Sequence, residues 1–129
     1  MSQTQNKISV SPQGEAFPLP ELSDYAAEYE RVKALAEAAR ESGKEVVVVM
    51  GVGFVGAVMA AIVADCEGKD GEPSKFVIGC QRPSTRSYWK IPLLNRGVSP
   101  VKAEDPQVDL LIGRCVLEKK TLIATYNSQ

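Results

Sequence analysis

Apolar and polar positions change period several times along this chain, and each change marks an element. Residues 1–20 are polar and carry Pro12, Pro18 and Pro20, which reads as a flexible or extended leader. From 21 to 42, Leu22, Tyr25, Ala26, Tyr29, Val32, Ala36 and Ala39 recur at helical spacing between Pro20 and Gly43, predicting an amphipathic helix. Its tyrosines share the apolar stripe, which assigns them to packing against a sheet or partner rather than to stacking on a ligand. Four valines, Val46, Val47, Val48 and Val49, then predict a buried strand, because branching at Cβ crowds a helix but packs well between pleated neighbours. Burial on both faces is the habit of parallel sheets. Residues 54–65, rich in alanine and with Met59, predict a crossover helix, and 66–74 a hydrophilic surface loop with Gly68, Gly71 and Pro73. The short run KFVIGC at 75–80 predicts a second parallel strand, completing a β-α-β unit.

Further on, residues 87–95 predict a short helix interrupted near Pro92, with Gly97 past its end and Ser99-Pro100 opening a turn. Over 106–119, Val108, Leu111, Ile112, Cys115 and Val116 fall on one face, with Asp105 as N-cap, Pro106 at the first helical position and lysines at the end. A helix is predicted there, and a third strand at 121–125, TLIAT.

The junction at residues 46–64, VVVVMGVGFVGAVMAAIVA, organises the rest. Its 19 uncharged residues approach the length of a membrane-spanning helix. Against that, each of Gly51, Gly53 and Gly56 would cost about 1 kcal/mol inside a helix, and valine runs prefer strands. The alternative is a strand, a tight turn and a helix in the pattern G-x-G-x-x-G. Gly51 would permit the turn, Gly53 would let backbone approach a pyrophosphate, and Gly56 would let helix and strand pack closely. Phosphates would sit on the helix N-terminus.

With 129 residues the chain is one domain's worth, and 44% apolar residues, 24% charged residues and a net charge of -1 are those of an ordinary globular protein. The absence of histidine removes the commonest general base and metal ligand. Cys66, Cys80 and Cys115 show no C-x-x-C spacing, and no apolar leader resembles a signal peptide. They predict a reduced, cytoplasmic protein whose cysteines are small core residues, with no metal site.

Charge is uneven. Residues 73–103 hold Lys75, Arg82, Arg86, Lys90, Arg96 and Lys102 but none of the 16 acidic side chains, which points to a local anion site. At the end of the second strand, where dinucleotide folds hold the adenosine ribose with an acidic residue, stands Gln81. Arg82, Ser84, Thr85 and Arg86 follow, a set able to hold a 2′-phosphate through guanidinium forks and hydroxyls. Two other readings stand beside this one. The loop is merely basic and solvated, or Tyr88 and Trp89 among the cations stack on a nucleic-acid base.

Taken in order, GVGFVG, the strand ending in VIG, WKIPLLNRGVSPV, EDPQVDLLIGR and TLIATYN resemble the N-terminal domain of the UDP-glucose/GDP-mannose dehydrogenase family, over residues 45–127. The resemblance implies that Gly51, Val52, Gly53, Phe54, Val55 and Gly56 cradle the pyrophosphate of NAD and that Gln81 faces the adenosine ribose. It also implies that Lys90, or Arg86 at the more usual distance from Gln81, is the basic residue near the cofactor. Ser99 and Pro100 match a structural S-P turn. Gln81 in place of an acid and Gln107 in place of a glycine depart from the family and open NADP as the cofactor. The later strands, the sugar-nucleotide domain and the catalytic cysteine in its glycine-rich segment are not matched.

These readings combine into an α/β, Rossmann-like three-layer fold with a short parallel sheet and an extra N-terminal helix, residues 21–129 forming a dinucleotide-binding domain after the leader. By resemblance it is a fragment or truncated form of a nucleotide-sugar dehydrogenase, whose sugar-nucleotide domain would be its partner and for which a homodimer is a possible assembly. In that family a sugar C6 hydroxyl becomes a carboxylate. This chain would supply the cofactor site and no catalytic residue, binding neither nucleic acid nor membrane. A non-catalytic nucleotide-binding or interaction module of the same fold is the second reading, since fold does not fix function. A methyltransferase-like fold binding S-adenosylmethionine at the glycine turn is a third.

Overall fold

The computed structural model describes residues 7–51, 54–82, 84–99 and 106–126. Three parallel strands, β3 (Glu45–Met50), β4 (Lys75–Cys80) and β5 (Leu122–Thr125), form a sheet in the order β3-β4-β5. Preceding them are a small antiparallel hairpin of β1 (Ile8–Val10) and β2 (Ala16–Pro18) and the long helix α1 (Leu22–Glu41). Helix α2 (Phe54–Ala64) connects β3 to β4, and α3 (Lys90–Asn95) and α4 (Pro106–Gly113) lie between β4 and β5. This is the expected Rossmann-like α/β arrangement. The apolar stretch at 46–64 divides into a strand and an 11-residue helix, and no helix among the described residues is long and apolar enough to cross a membrane.

Because side chains alternate across a strand, the sheet buries two separate faces. On one, Ala60, Ala61 and Ala64 of α2, Ile91 and Leu94 of α3 and Ile112 of α4 close over Val77, Leu122 and Ala124. On the other, Val32, Ala36 and Ala39 of α1 cover Phe76, Ile78 and Cys80. The alanines of α2 and α1 sit at the contact surfaces, where a short side chain lets helix backbone come close to the sheet. The extra N-terminal helix thus supplies the third layer.

The strand expected to be buried on both sides is an edge strand. Among the described residues β3 pairs only with β4, whose central position leaves Phe76 to Cys80 buried, while Val48 is 53% and Met50 70% exposed. Its valines meet the requirement for β structure, but burial depends on a second neighbour that local sequence does not specify. The opposite edge, β5, is covered differently. Asn95 at the end of α3 donates from Nδ2 to the Ala124 carbonyl at 2.9 Å and accepts the Ala124 N–H on Oδ1 at 2.7 Å, imitating one rung of a strand ladder.

Other elements are more specific than the sequence pattern. Within the stretch read as a flexible or extended leader, β1 and β2 pair, with the Ser9 hydroxyl oxygen buried and accepting the Trp89 N–H at 3.0 Å. Phe17 packs with Trp89 and Leu93, and Arg96 holds Glu15 through both nitrogens of its fork. The helix expected over 106–119 is α-helical only to Gly113, then widens into a π-helical turn over Arg114–Glu118, in which the Lys119 N–H reaches the Arg114 carbonyl. In this wider turn Arg114 and Lys119 both reach the Asp65 carboxylate. The Ser87-to-Asn95 helix begins only at Lys90, after turns. Asp105, its neighbours at 100–104 and Pro100 of the S-P turn lie outside the described residues.

Cys80 and Cys115 are buried core residues, as expected, and burial pushes both thiols up from their ordinary pKa. Cys66 departs from the expectation, since it lies exposed at the start of the hydrophilic loop, where no apolar layer covers it.

Candidate functional site

The C-terminal ends of the three strands meet at one rim of the sheet. Met50 stands opposite Cys80, and Cys80 opposite Thr125. One residue further, the Gly51 N–H donates to the Cys80 carbonyl at 2.6 Å and the Gln81 N–H to the Thr125 carbonyl at 2.9 Å. The residues expected to turn toward a pyrophosphate and toward a ribose are therefore adjacent.

Gly51 has φ +90°, a conformation that side-chain-bearing residues rarely adopt, and this lets the chain leave β3 and enter α2 at once. Gly56, in the first turn of α2, lies against it so closely that a Cβ there would stand 2.0 Å from the Gly51 carbonyl oxygen. No side chain fits in that contact. The contact binds α2 to the sheet at the strand-end rim, where the N-terminal end of a helix carries N–H groups without intrahelical partners. Val52 and Gly53 lie outside the described residues. Phe54 and Val55 open α2 in the backbone.

Gln81 is half-buried and donates from Nε2 to the Ser87 hydroxyl at 3.4 Å. Ser84 and Ser87 share a hydroxyl contact of 2.8 Å, and Ser87 Oγ donates to the Arg82 carbonyl at 3.1 Å. The Arg86 carbonyl accepts the Trp89 indole N–H at 2.8 Å. Both arginine backbones are thereby anchored while both residues stay exposed. Lys90 is placed differently. Its ammonium lies 5.9 Å from the Trp89 ring centroid, and the residue lines a cavity of about 930 Å³ with Pro12, Gln13, Leu93 and Asp109.

Two cations of the positive stretch at 73–103 are compensated by partners distant in sequence. Lys75 pairs with Glu45, and Arg96 with Glu15. Arg82 and Arg86 carry no ion pair among the described residues, and there is no cluster of three metal-ligating side chains there. Of the described cations in this stretch, Arg82 and Arg86 follow Gln81 directly, while Lys90 lies by Trp89 at the separate cavity.

A second group at the same rim was not legible in the sequence. Glu28 and Arg31, one helical turn apart on α1, form a two-nitrogen ion pair. The Thr125 hydroxyl donates to Glu28, and Arg31 donates to the Ala124 carbonyl at 3.3 Å. With Tyr88 and Tyr126 they line a cleft of about 750 Å³ between α1 and the end of β2. The only signal was the Glu-x-x-Arg spacing on α1, which by itself describes any solvated helix face. Burial pushes the Tyr126 phenol up to about 12, assisted by the nearby Glu28 carboxylate.

For Glu28, burial acts to raise its pKa, but the Arg31 guanidinium and the Thr125 hydroxyl outweigh it and hold the carboxyl below its ordinary value. A depressed folded pKa contributes stability that is present above the unfolded value and is lost as pH falls through the folded one. Glu28→Gln is accordingly expected to cost about 1 kcal/mol near neutrality and to flatten the acid limb of stability against pH. Urea denaturation of parent and variant from roughly pH 3 to 7 measures this, and parallel acid limbs would refute it.

No protein-family model and no curated protein matches the chain. Among solved structures, the chain is similar to the crystal structure of NDP-N-acetyl-D-galactosaminuronic acid dehydrogenase from Methanosarcina mazei Go1, with 36% sequence identity and a TM-score of 0.55. The match covers 70% of this chain and 18% of that one, so this chain spans less than a fifth of the dehydrogenase it resembles. At that identity the likeness reaches beyond the fold. Over most of its length this Rossmann-like chain is similar to one part of a nucleotide-sugar dehydrogenase.

Proposed function

We propose that this chain is the dinucleotide-binding segment of a nucleotide-sugar dehydrogenase of the UDP-glucose/GDP-mannose type, acting with a separate sugar-nucleotide domain. The observation that carries the reading is the contact of Gly56 with the Gly51 carbonyl, a cradle that a single Cβ would fill. Backbone N–H groups at a helix start behind such a turn suit a pyrophosphate. The bound nicotinamide cofactor would take up hydride as the sugar C6 hydroxyl is oxidised. In this reading Gly51 to Gly56, with Val52, Gly53, Phe54 and Val55 between them, hold the pyrophosphate. Gln81 meets the adenosine ribose and Arg82 and Arg86 supply positive charge, while Lys90 lies by Trp89 at the separate cavity.

Two further observations suit a segment of a larger enzyme. Val48 and Met50 are exposed on β3, and α2 contains no charged side chain, with Met59 and Ile62 exposed. A helix apolar on all sides is normally covered by more protein. Three unbridged cysteines suit a reducing, cytoplasmic setting.

Calorimetric titration of the purified 129-residue chain with NAD⁺, NADP⁺ and ADP tests the proposal. Saturable binding of a dinucleotide is expected, together with no oxidation of UDP-glucose or GDP-mannose by the chain alone. Binding of none of the three would favour a non-catalytic interaction module of the same fold. Turnover of a sugar nucleotide by the isolated chain would show that it holds catalytic residues outside those named.

A further inference from the structure

We infer that the loop after β4 selects a dinucleotide phosphorylated on the adenosine 2′-hydroxyl, with Arg82 and Arg86 as the residues that recognise the phosphate. The inference rests on the dinucleotide reading above and specifies which dinucleotide the site takes. A site for an unphosphorylated ribose places a carboxylate at the end of the second strand, where it accepts hydrogen bonds from both hydroxyls and repels a phosphate. Here that position is Gln81, which is neutral and whose Nε2 is held by Ser87. The repulsion is absent.

What replaces it is a pair of cations with no competing partner. Lys75 and Arg96 are engaged by Glu45 and Glu15, whereas Arg82 and Arg86 have no ion pair among the described residues. Ser87 Oγ donates to the Arg82 carbonyl and the Trp89 indole N–H to the Arg86 carbonyl, so hydrogen bonds hold the backbone at two exposed arginines that follow Gln81 closely in the chain. Planar guanidinium forks suit the oxygens of a phosphate dianion, and less is lost in ordering them when the backbone is already fixed. A run of nucleic acid would call for cations spread along a groove, whereas Lys75 and Arg96 are engaged by Glu45 and Glu15 and Lys90 lies by Trp89 at a separate cavity.

Titration of the full chain with NAD⁺, NADP⁺, 5′-ADP and 2′,5′-ADP gives the test. One or two charge-assisted hydrogen bonds should make NADP⁺ bind about tenfold to a hundredfold more tightly than NAD⁺, with the same order for the two adenosine phosphates. In the double variant Arg82→Ala/Arg86→Ala the NADP⁺/NAD⁺ ratio should fall to near one. In Gln81→Glu it should invert. Equal or tighter binding of NAD⁺ to the parent chain overturns the selectivity while leaving dinucleotide binding in place. A ratio unchanged in the double variant overturns the role of the arginines, and failure of all four ligands to bind overturns both readings together.

Discussion

Replacing Gly56 by alanine is expected to lower the stability of the fold by about 3 kcal/mol or more and to abolish dinucleotide binding, although the residue lies in a helix. Two principles make opposite forecasts here. Helix propensity favours alanine over glycine by about 1 kcal/mol in a helix interior, so on local grounds the change should help. The contact decides otherwise, because the new Cβ would stand 2.0 Å from the Gly51 carbonyl oxygen and 2.9 Å from its carbon. Both are backbone atoms, so no side chain can swing aside, and either α2 lifts from the sheet or the strand-end turn opens. Gly51→Ala is the informative companion. Nothing lies within 4 Å of its Cβ position, and its cost arises only from φ +90°, about 1 to 2 kcal/mol. Thermal and urea denaturation of both variants read the difference, with Gly56→Ala expected as the more damaged. A Gly56→Ala protein as stable as the parent would remove the close approach on which the proposed cradle depends.

A comparably large loss is expected for Asn95→Ala, about 2 to 3 kcal/mol, or a fall in Tm on the order of 10 °C. The Asn95 amide serves both backbone groups of Ala124, a fully buried residue. Its removal strands the Ala124 N–H and leaves the carbonyl only the 3.3 Å contact from Arg31. An unsatisfied buried donor costs the full desolvation of the group, which is why truncation here exceeds the ordinary value of a hydrogen bond. Asn95→Asp is not expected to rescue stability, since a carboxylate oxygen would face the Ala124 carbonyl where Nδ2 donated. Amide hydrogen exchange at Ala124 provides the local readout, slow in the parent and fast in Asn95→Ala. A variant within about 0.5 kcal/mol of the parent would mean that other groups cover this edge.

The Asn95 contact also gives a physical meaning to part of the motif IPLLN. Ile91, Leu93 and Leu94 are the buried residues of α3, and the asparagine at its end closes β5. The spacing of the motif was visible in the sequence, but its purpose was not, because Ala124 is 29 residues away. The proposed dinucleotide site was similarly half-legible. Gly51, Gly56, Gln81, Arg82 and Arg86 were all nameable from one strand-turn-helix pattern and the end of the next strand. That Lys75 and Arg96 are engaged by Glu45 and Glu15 across long stretches of chain, while Arg82 and Arg86 have no ion pair among the described residues, was not legible there.

By itself the sequence determined the type and order of β3, α2, β4 and β5, because strand and helix periods, a run of branched residues and a glycine turn act over a few neighbouring positions. It also determined that Gly51 and Gln81 would share one rim, since a parallel crossover brings successive strand ends together. Only the tertiary structure decided that β3 is an edge, that the hairpin at Ile8–Val10 and Ala16–Pro18 seats itself on Trp89, and that Glu28 and Arg31 reach the end of β5. Those outcomes depend on which distant groups satisfy a buried backbone atom or an exposed charge, and a partner eighty or ninety residues away, such as Trp89 for Ser9 or Ala124 for Arg31, leaves no mark on the local pattern.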